Sequence, residues 1–336
     1  MRSHRILILA FSLLSACGGI SAEGDYYFVR SGEADLPVWV RGNVESGTFL
    51  VFLHGGPGYS AMGNPGALAF NELEKRYAVV YWDQRASGSS QGNVDPSTLT
   101  MEQFVEDTDR VLETLALRYS PRAVFLVGHS WGGALGTAYL LDPARQAKVR
   151  GWVEIDGSHD VVEGYRLSRE RMLEYIDARL AEGVEEPWRK ARDFYEATDR
   201  LSTDNILTHT SYVGMAGGYS YRNEVANERS PDELIFASPS NTLAWGHNEV
   251  ATPMQFDFYG LSFTRDMERL TLPSLVMWGR HDGILPVGLA QQAYEALGTP
   301  GDLKRLVIFE ESAHSPQDDE PTRFATELSS FIDQHR

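Results

Sequence analysis

Cysteine is almost absent. Cys17 is the one cysteine in 336 residues, so no intramolecular disulfide can staple the fold. Positive charge is also scarce. The chain has 30 lysines and arginines against 47 aspartates and glutamates, a formal net charge of −17 and a sequence pI of about 4.9. Such a surface repels phosphate, which argues against nucleic acid as a partner. The N-terminal apolar run, Ile6 to Leu14, is too short to span a bilayer. No internal repeat or low-complexity tract appears, and no H-E-x-x-H or paired-ligand spacing. No metal and no cofactor are therefore expected. What remains is ordinary: 42% hydrophobic and 23% charged residues suit a folded globular chain. The length admits one large α/β domain with an insertion, or two domains.

The first residues read as a targeting segment. Arg2 and Arg5 precede the Ile6–Leu14 run, which has the length of a signal-peptide hydrophobic region. Leu14-Ser15-Ala16-Cys17 follows and resembles a bacterial lipoprotein box. That resemblance implies cleavage after residue 16 and lipid on the Cys17 sulfur, with 17–24 as a linker. The expectation is an exported cell-envelope lipoprotein that touches the membrane only through its anchor. An ordinary cleaved signal peptide with an incidental cysteine is the alternative.

Further along, short apolar runs alternate with helical patterns. Tyr26–Arg30, Pro37–Arg41, Thr48–Leu53, Tyr77–Trp82, Ala123–Gly128, Gly151–Asp156, Ser274–Gly279 and Arg305–Glu310 read as strands. Met101 to Arg118 reads as an amphipathic helix, with Thr100 and Gln103 as a capping box. The alternation predicts an α/β fold, a mostly parallel central sheet with helices on both faces. It breaks between about Ser158 and Met267, a polar, acidic, aromatic and mainly helical stretch. Met172, Leu173, Ile176 and Leu180 share a helix face there, and Gly183 ends that helix. This stretch is expected to lie over the edge of the sheet as an insertion.

Chemistry points to one joint. Gly128-His129-Ser130-Trp131-Gly132 stands between an apolar strand and a small-residue helix. It fits G-x-S-x-G, the nucleophile elbow, where glycines remove Cβ atoms that would clash at a strained turn. A serine hydroxyl needs a base, and the base needs a carboxylate. In that architecture the order along the chain is Ser, then acid, then His. Asp282 follows the strand Ser274–Gly279, and His314 follows Arg305–Glu310. Strand ends of a parallel sheet meet at one crevice, so Ser130, Asp282 and His314 can converge. Asp156 also follows a strand and is a displaced alternative acid. Nine histidines are present; His54, His129 and His281 are read as shaping loops, and His159, His209 and His247 as surface or packing residues. The amide of Trp131 and one from the loop His54-Gly55-Gly56-Pro57-Gly58 would bind an oxyanion, Gly55 in preference to Gly56.

Together HGGPG (54–58), DQRASGSS (83–90), GHSWGG (128–133), WGRHDGILP (278–286) and ESAHS (311–315) resemble the prolyl aminopeptidases, or proline iminopeptidases, of the α/β-hydrolase superfamily. The match spans roughly residues 25 to 157 and 270 to 336. It implies an α/β-hydrolase fold, with core segments 25–157 and 268–336 and a helical cap at 158–267. It assigns Ser130, Asp282 and His314 as the triad, Gly55 and Trp131 as oxyanion donors, and Asp83 and Arg85 as structural. Ala86 stands where that family usually has glycine. Family members hold the substrate's free amino terminus with acids of the cap. Glu224 and Glu228 are the candidates here, with solvated surface charge as the alternative.

The expected function is hydrolysis of an acyl bond, releasing N-terminal proline or another small residue from short peptides. A carboxylesterase or lactonase acting on small acyl compounds is the alternative, because one fold hosts many substrates. Haloalkane and epoxide chemistry on this fold uses Asp at the elbow, which Ser130 argues against. A binding protein on a disabled scaffold is disfavoured because every catalytic position is filled.

Overall fold

The computed structural model describes residues 24–221 and 254–336. The N-terminal leader, Cys17, Glu224, Glu228, Trp245 and His247 lie outside the described residues. Nine strands form one sheet: β1 (Asp25–Ser31), β2 (Ala34–Gly42), β3 (Thr48–Leu53), β4 (Ala78–Trp82), β5 (Gln91–Gly92), β6 (Ala123–His129), β7 (Gly151–Ile155), β8 (Ser274–Gly279) and β9 (Lys304–Phe309). Their order is β1-β2-β4-β3-β6-β7-β8-β9, with the short β5 against β2. β2 runs antiparallel to β1 and to β4, and every pair from β4 to β9 is parallel. The α/β expectation holds, and only the two-residue β5 was not foreseen.

Both faces of the sheet are covered, as parallel strands require. Helices α1 (Leu68–Glu74), α2 (Met101–Tyr119), α3 (Trp131–Leu140) and α4 (Pro143–Gln146) belong to the first half of the chain. Then come α5 (Val161–Ala181), α6 (Trp188–Ala197) and α7 (Ile206–Met215), followed by α8 (Gly288–Ala296), α9 (Pro316–Asp319) and α10 (Pro321–His335). Side chains of a strand alternate between faces. Phe49, Val51 and Leu53 of β3 therefore join Phe104, Val111, Leu115 and Leu135 of α2 and α3 in one core. Leu50 and Phe52 pack with Phe70, Phe324 and Phe331 of α1 and α10 on the other. At the start of α2 only half of the expected capping box forms. Thr100 Oγ1 accepts from Gln103 N at 3.1 Å, while the Gln103 side chain turns to Asp107.

The stretch between β7 and β8 builds its own core. Tyr165, Met172 and Ile176 of α5 bury against Trp188, Ala191 and Tyr195 of α6 and Val213 of α7. Leu173 and Leu180 flank that face, and Gly183, with φ +83°, lies just past the end of α5. Two joints position the site. The chain leaves β3 for β4 and returns to β6 on the opposite side, so the loops after β3 and β6 flank a topological switch point.

Candidate active site

Ser130 sits at the turn from β6 into α3 with φ 54° and ψ −119°. A side chain at positive φ is strained and persists only where its surroundings over-determine it. The restraints are visible. Ser130 N donates to Ile155 O at 3.0 Å, and Ser130 O accepts from Gly133 N, Ser158 N and Ser158 Oγ. The flanking glycines are required by close approach. A Cβ at Gly132 would stand 2.0 Å from Leu53 O, and one at Gly128 2.3 Å from Gly132 O.

His314 lies past β9 and Asp282 past β8. His314 Nδ1 donates to Asp282 Oδ2 at 2.8 Å, with Asp282 fully buried. Asp282 Oδ1 accepts from Ile284 N at 2.8 Å and Leu285 N at 2.9 Å, which fixes the carboxylate. With Nδ1 bearing the proton, Nε2 keeps the lone pair of a base. Ser130 and His314 line the same cavity. The Ser130 hydroxyl makes no hydrogen bond among the described residues, as is common before substrate tightens such a site. Asp156, the alternative acid, directly follows β7 and takes Gly279 N at 2.9 Å on Oδ1 rather than the histidine.

The loop after β3 packs on the elbow. A Cβ at Gly55 would lie 3.1 Å from Ser130 Cβ. Gly56, at φ +115°, lines the cavity with Pro57. The N–H of Trp131 heads α3, where no intrahelical acceptor exists for it. Gln84 ties these parts together. Its backbone N–H donates to His54 Nε2 at 3.1 Å, its Nε2 to His54 O, and its Oε1 accepts from the Trp131 indole at 2.7 Å. Because His54 Nε2 accepts, Nδ1 carries the proton and donates to Gly55 O at 2.8 Å. Burial holds His54 neutral, its pKa pushed down to about 4. His129 is held down to about 3 by burial and by neighbouring His314, and its Nε2 donates to His314 O at 2.8 Å. Both histidines shape loops.

Asp83 and Arg85 buttress from behind. Asp83 accepts from Ala61 N at 2.8 Å and Ser89 N at 2.7 Å, and burial lifts its pKa to about 6. Arg85 makes a buried two-pronged pair with Asp107 at 2.5 and 2.6 Å. Ala86 adopts φ 54°, the conformation that explains a glycine preference there.

The opposite wall comes from the inserted helices. Tyr165, Ile206 and His209 of those helices, with Tyr219 and Tyr259 of the segments after them, line the cavity with Ser130, and no carboxylate lines it among the described residues. His209, read from sequence as surface or packing, belongs to this wall while being 1% exposed. Ser168 Oγ donates to Gly283 O, so it can only accept from His209 Nε2–H at 3.4 Å. Tyr195 then donates to His209 Nδ1 at 3.0 Å. His159, read in the same way, takes the packing role. It is fully buried against Glu154 at 2.7 Å; burial lowers its pKa, but Glu154, helped by Gln292 and Asp160, outweighs burial and raises it. The Tyr219 ring lies tilted at 45° to the His314 ring, 5.8 Å between centroids, and its hydroxyl bonds that of Tyr59 at 3.2 Å. Gln84 lies inside DQRASGSS without having been assigned a role, and no local motif marks His209 or Tyr219.

The family described as "alpha/beta hydrolase fold" matches residues 48–321. The chain is 27% identical over 310 residues to "Probable aminopeptidase YbaC" of Bacillus subtilis, covering 85% of this chain and 89% of that protein. It is 24% identical over 292 residues to a "Proline iminopeptidase" of Heyndrickxia coagulans, covering 85% and 91%. A solved esterase, EaEST from Exiguobacterium antarcticum, superposes with a TM-score of 0.62 at 19% identity, covering 92% of this chain and 99% of that one. The family match spans most of the sequence, and with the sheet order and the strand-end joints it shows that this chain belongs to the alpha/beta hydrolase fold family.

Proposed function

We propose that this chain is a serine hydrolase that releases the N-terminal residue, proline or another small one, from short peptides. The observation that carries the hydrolase reading is the His314–Asp282 bond beside a strained Ser130 on one cavity. His314 Nε2 takes the Ser130 proton as Oγ attacks the carbonyl carbon. Asp282 holds the tautomer and stabilises the imidazolium. The amides of Trp131 and of Gly55 or Gly56 bind the oxyanion. His314 returns the proton to the leaving amine, and water then releases the acyl group from Ser130. The relatives named as aminopeptidases support the peptide substrate. Glu224 and Glu228 are the proposed amine ligands.

A second reading, a carboxylesterase or lactonase, is favoured by one observation: the described wall of the cavity is apolar and aromatic and carries no carboxylate. In either case the leader and Cys17 support export and lipid anchoring. Loss of metabolic lipid labelling in Cys17→Ala is the expected result.

The test compares a prolyl arylamide with a short-chain aryl ester, using the chain from Gly18 and a Ser130→Ala control. Ser130→Ala is expected to lower kcat at least about 10⁴-fold. Arylamide cleavage that N-acetylation abolishes supports the peptidase. Ester cleavage alone moves the assignment to the esterase.

A further inference from the structure

The mechanism uses Asp282 and leaves a second buried acid without a role. Asp156 directly follows β7, beside the start of the Asp282 turn, with its N–H on Met277 O and its Oδ1 on Gly279 N–H at 2.9 Å. It is fully buried. Its φ of 42° is a conformation that a non-glycine residue adopts at a cost. Its other oxygen, Oδ2, meets no hydrogen-bond donor among the described residues. Its side-chain neighbour is Asp282, with Asp319 as the next carboxylate.

Two carboxylates in contact away from water cannot both stay ionised. Counting donors decides which one carries the proton. Asp282 accepts three hydrogen bonds, from Ile284 N, Leu285 N and His314 Nδ1. Asp156 accepts one, from Gly279 N. Donors stabilise the charged form, so the charge stays on Asp282 and the proton on Asp156. Burial first, and the Asp282 charge second, push the Asp156 carboxyl well above the usual carboxylate range; Asp319 adds in the same direction. Asp319 is itself held by Ala313 N at 2.9 Å and by Tyr221 N.

We propose that Asp156 is a positioning residue, a neutral carboxylic acid whose Oδ2–H donates to the Asp282 carboxylate and holds it against His314. One side chain then latches both ends of the turn, Gly279 through Oδ1 and Asp282 through Oδ2. The orphaned oxygen and the strained backbone have one cause, the need to bring a proton donor to the triad acid from the neighbouring strand. The inference rests on the triad reading.

Two measurements test it. The infrared difference spectrum of the wild type minus Asp156→Asn, at neutral pH, should contain the carbonyl stretch of a protonated carboxylic acid. In kinetics, Asp156→Ala should lower kcat about 10- to 100-fold with KM little changed, the cost of one hydrogen bond to a charged group. It should also move the acid limb of the kcat/KM profile to higher pH, because Asp282 stabilises the imidazolium more when its charge is undiluted. Asp156→Asn supplies an N–H in place of the O–H and should recover most of that loss. Asp282→Asn should lose about 10⁴-fold. A missing carboxylic-acid band overturns the proposal. So does an Asp156→Asn variant as inactive as Asp282→Asn, which would make Asp156 an ionised acid. A fully active Asp156→Ala with an unmoved acid limb makes it a spectator. If the alanine variant does not fold, Asp156→Ser replaces it in the same comparison. Failure of the triad reading is separate: it shows as activity surviving Ser130→Ala while the infrared band stands.

Discussion

The strand-end joints and the inserted helices form opposite walls of one cavity by different physics. At the joints the backbone is packed against backbone, and buried polar atoms find partners one by one: Ser130 O takes three donors, Asp83 bridges two loops, and Gln84 locks both His54 and Trp131. In the insertion, α5, α6 and α7 cohere through aromatic and aliphatic contact, with Tyr195 edge-on to Phe194 at 5.0 Å and Tyr175 edge-on to Trp188 at 5.0 Å. Close backbone packing admits few alternatives, whereas aromatic clusters accept many side chains of similar volume. On the proposed mechanism the chemistry sits on the rigid wall, and the choice of acyl group falls to the adaptable one.

The sharpest way to break this contrast is a methyl group at the joint. In Gly132→Ala the new Cβ would stand 2.0 Å from Leu53 O and 2.7 Å from Leu53 C, backbone atoms that cannot rotate away. The expected loss is more than about 3 kcal/mol, because the strand-to-helix turn itself must shift. Urea unfolding measures it. A loss below about 1 kcal/mol would mean that the joint yields and that its rigidity is overstated.

These two walls were unequally legible in the sequence. G-x-S-x-G, HGGPG and the strand-end positions of Asp282 and His314 are local patterns forced by local geometry, so reading them needed no tertiary information. The sheet followed for the same reason: every strand but the short β5 contains a short apolar run, and β3 and β8 match their expected limits. The cavity wall did not follow. Nothing local distinguishes His209 from any other histidine in a helix, and its place depends on Ser168, Tyr195 and Gly283, residues 14 to 74 positions away in the chain. The buried Glu154–His159 pair was missed because an acid inside an apolar strand run gives no sign of what will neutralise it. Gln84 was passed over because its neighbours Asp83 and Arg85 carry the charge.

A smaller perturbation probes the aromatic wall. Burial pushes His209 down to about 4, against an ordinary value of 6.5. As the pH falls below 6.5 the unfolded chain binds a proton at this residue that the folded chain refuses until about 4. The stability that a neutral His209 contributes is thus complete above pH 6.5 and declines across that window. Gln at 209 keeps a donor and an acceptor but does not titrate. The stability of the wild type relative to His209→Gln should therefore fall by about 3 kcal/mol between pH 7.5 and 4. His54, His129 and Asp83 titrate identically in both proteins and cancel in the difference. A difference that stays constant with pH would show that His209 takes up its proton without leaving the wall.

The mildest test returns to a glycine, now in the insertion. Gly214 lies near the end of α7, exposed, and among the described residues no atom outside its own helix backbone and chain neighbours comes within 4 Å of where a Cβ would stand. Its φ is not positive, so alanine adopts the same backbone there. Two effects then act in one direction: alanine is the better helix former, and it removes freedom from the unfolded chain. Gly214→Ala should raise stability by about 0.5 to 1 kcal/mol in urea unfolding. The same chemical change that breaks the joint at residue 132 then strengthens the inserted helices at 214. Opposite signs from one methyl group are what the contrast requires. A Gly214→Ala that destabilises would place a packing constraint on the inserted helices like that of the joints, and the division of labour between the walls would fail at its weakest point.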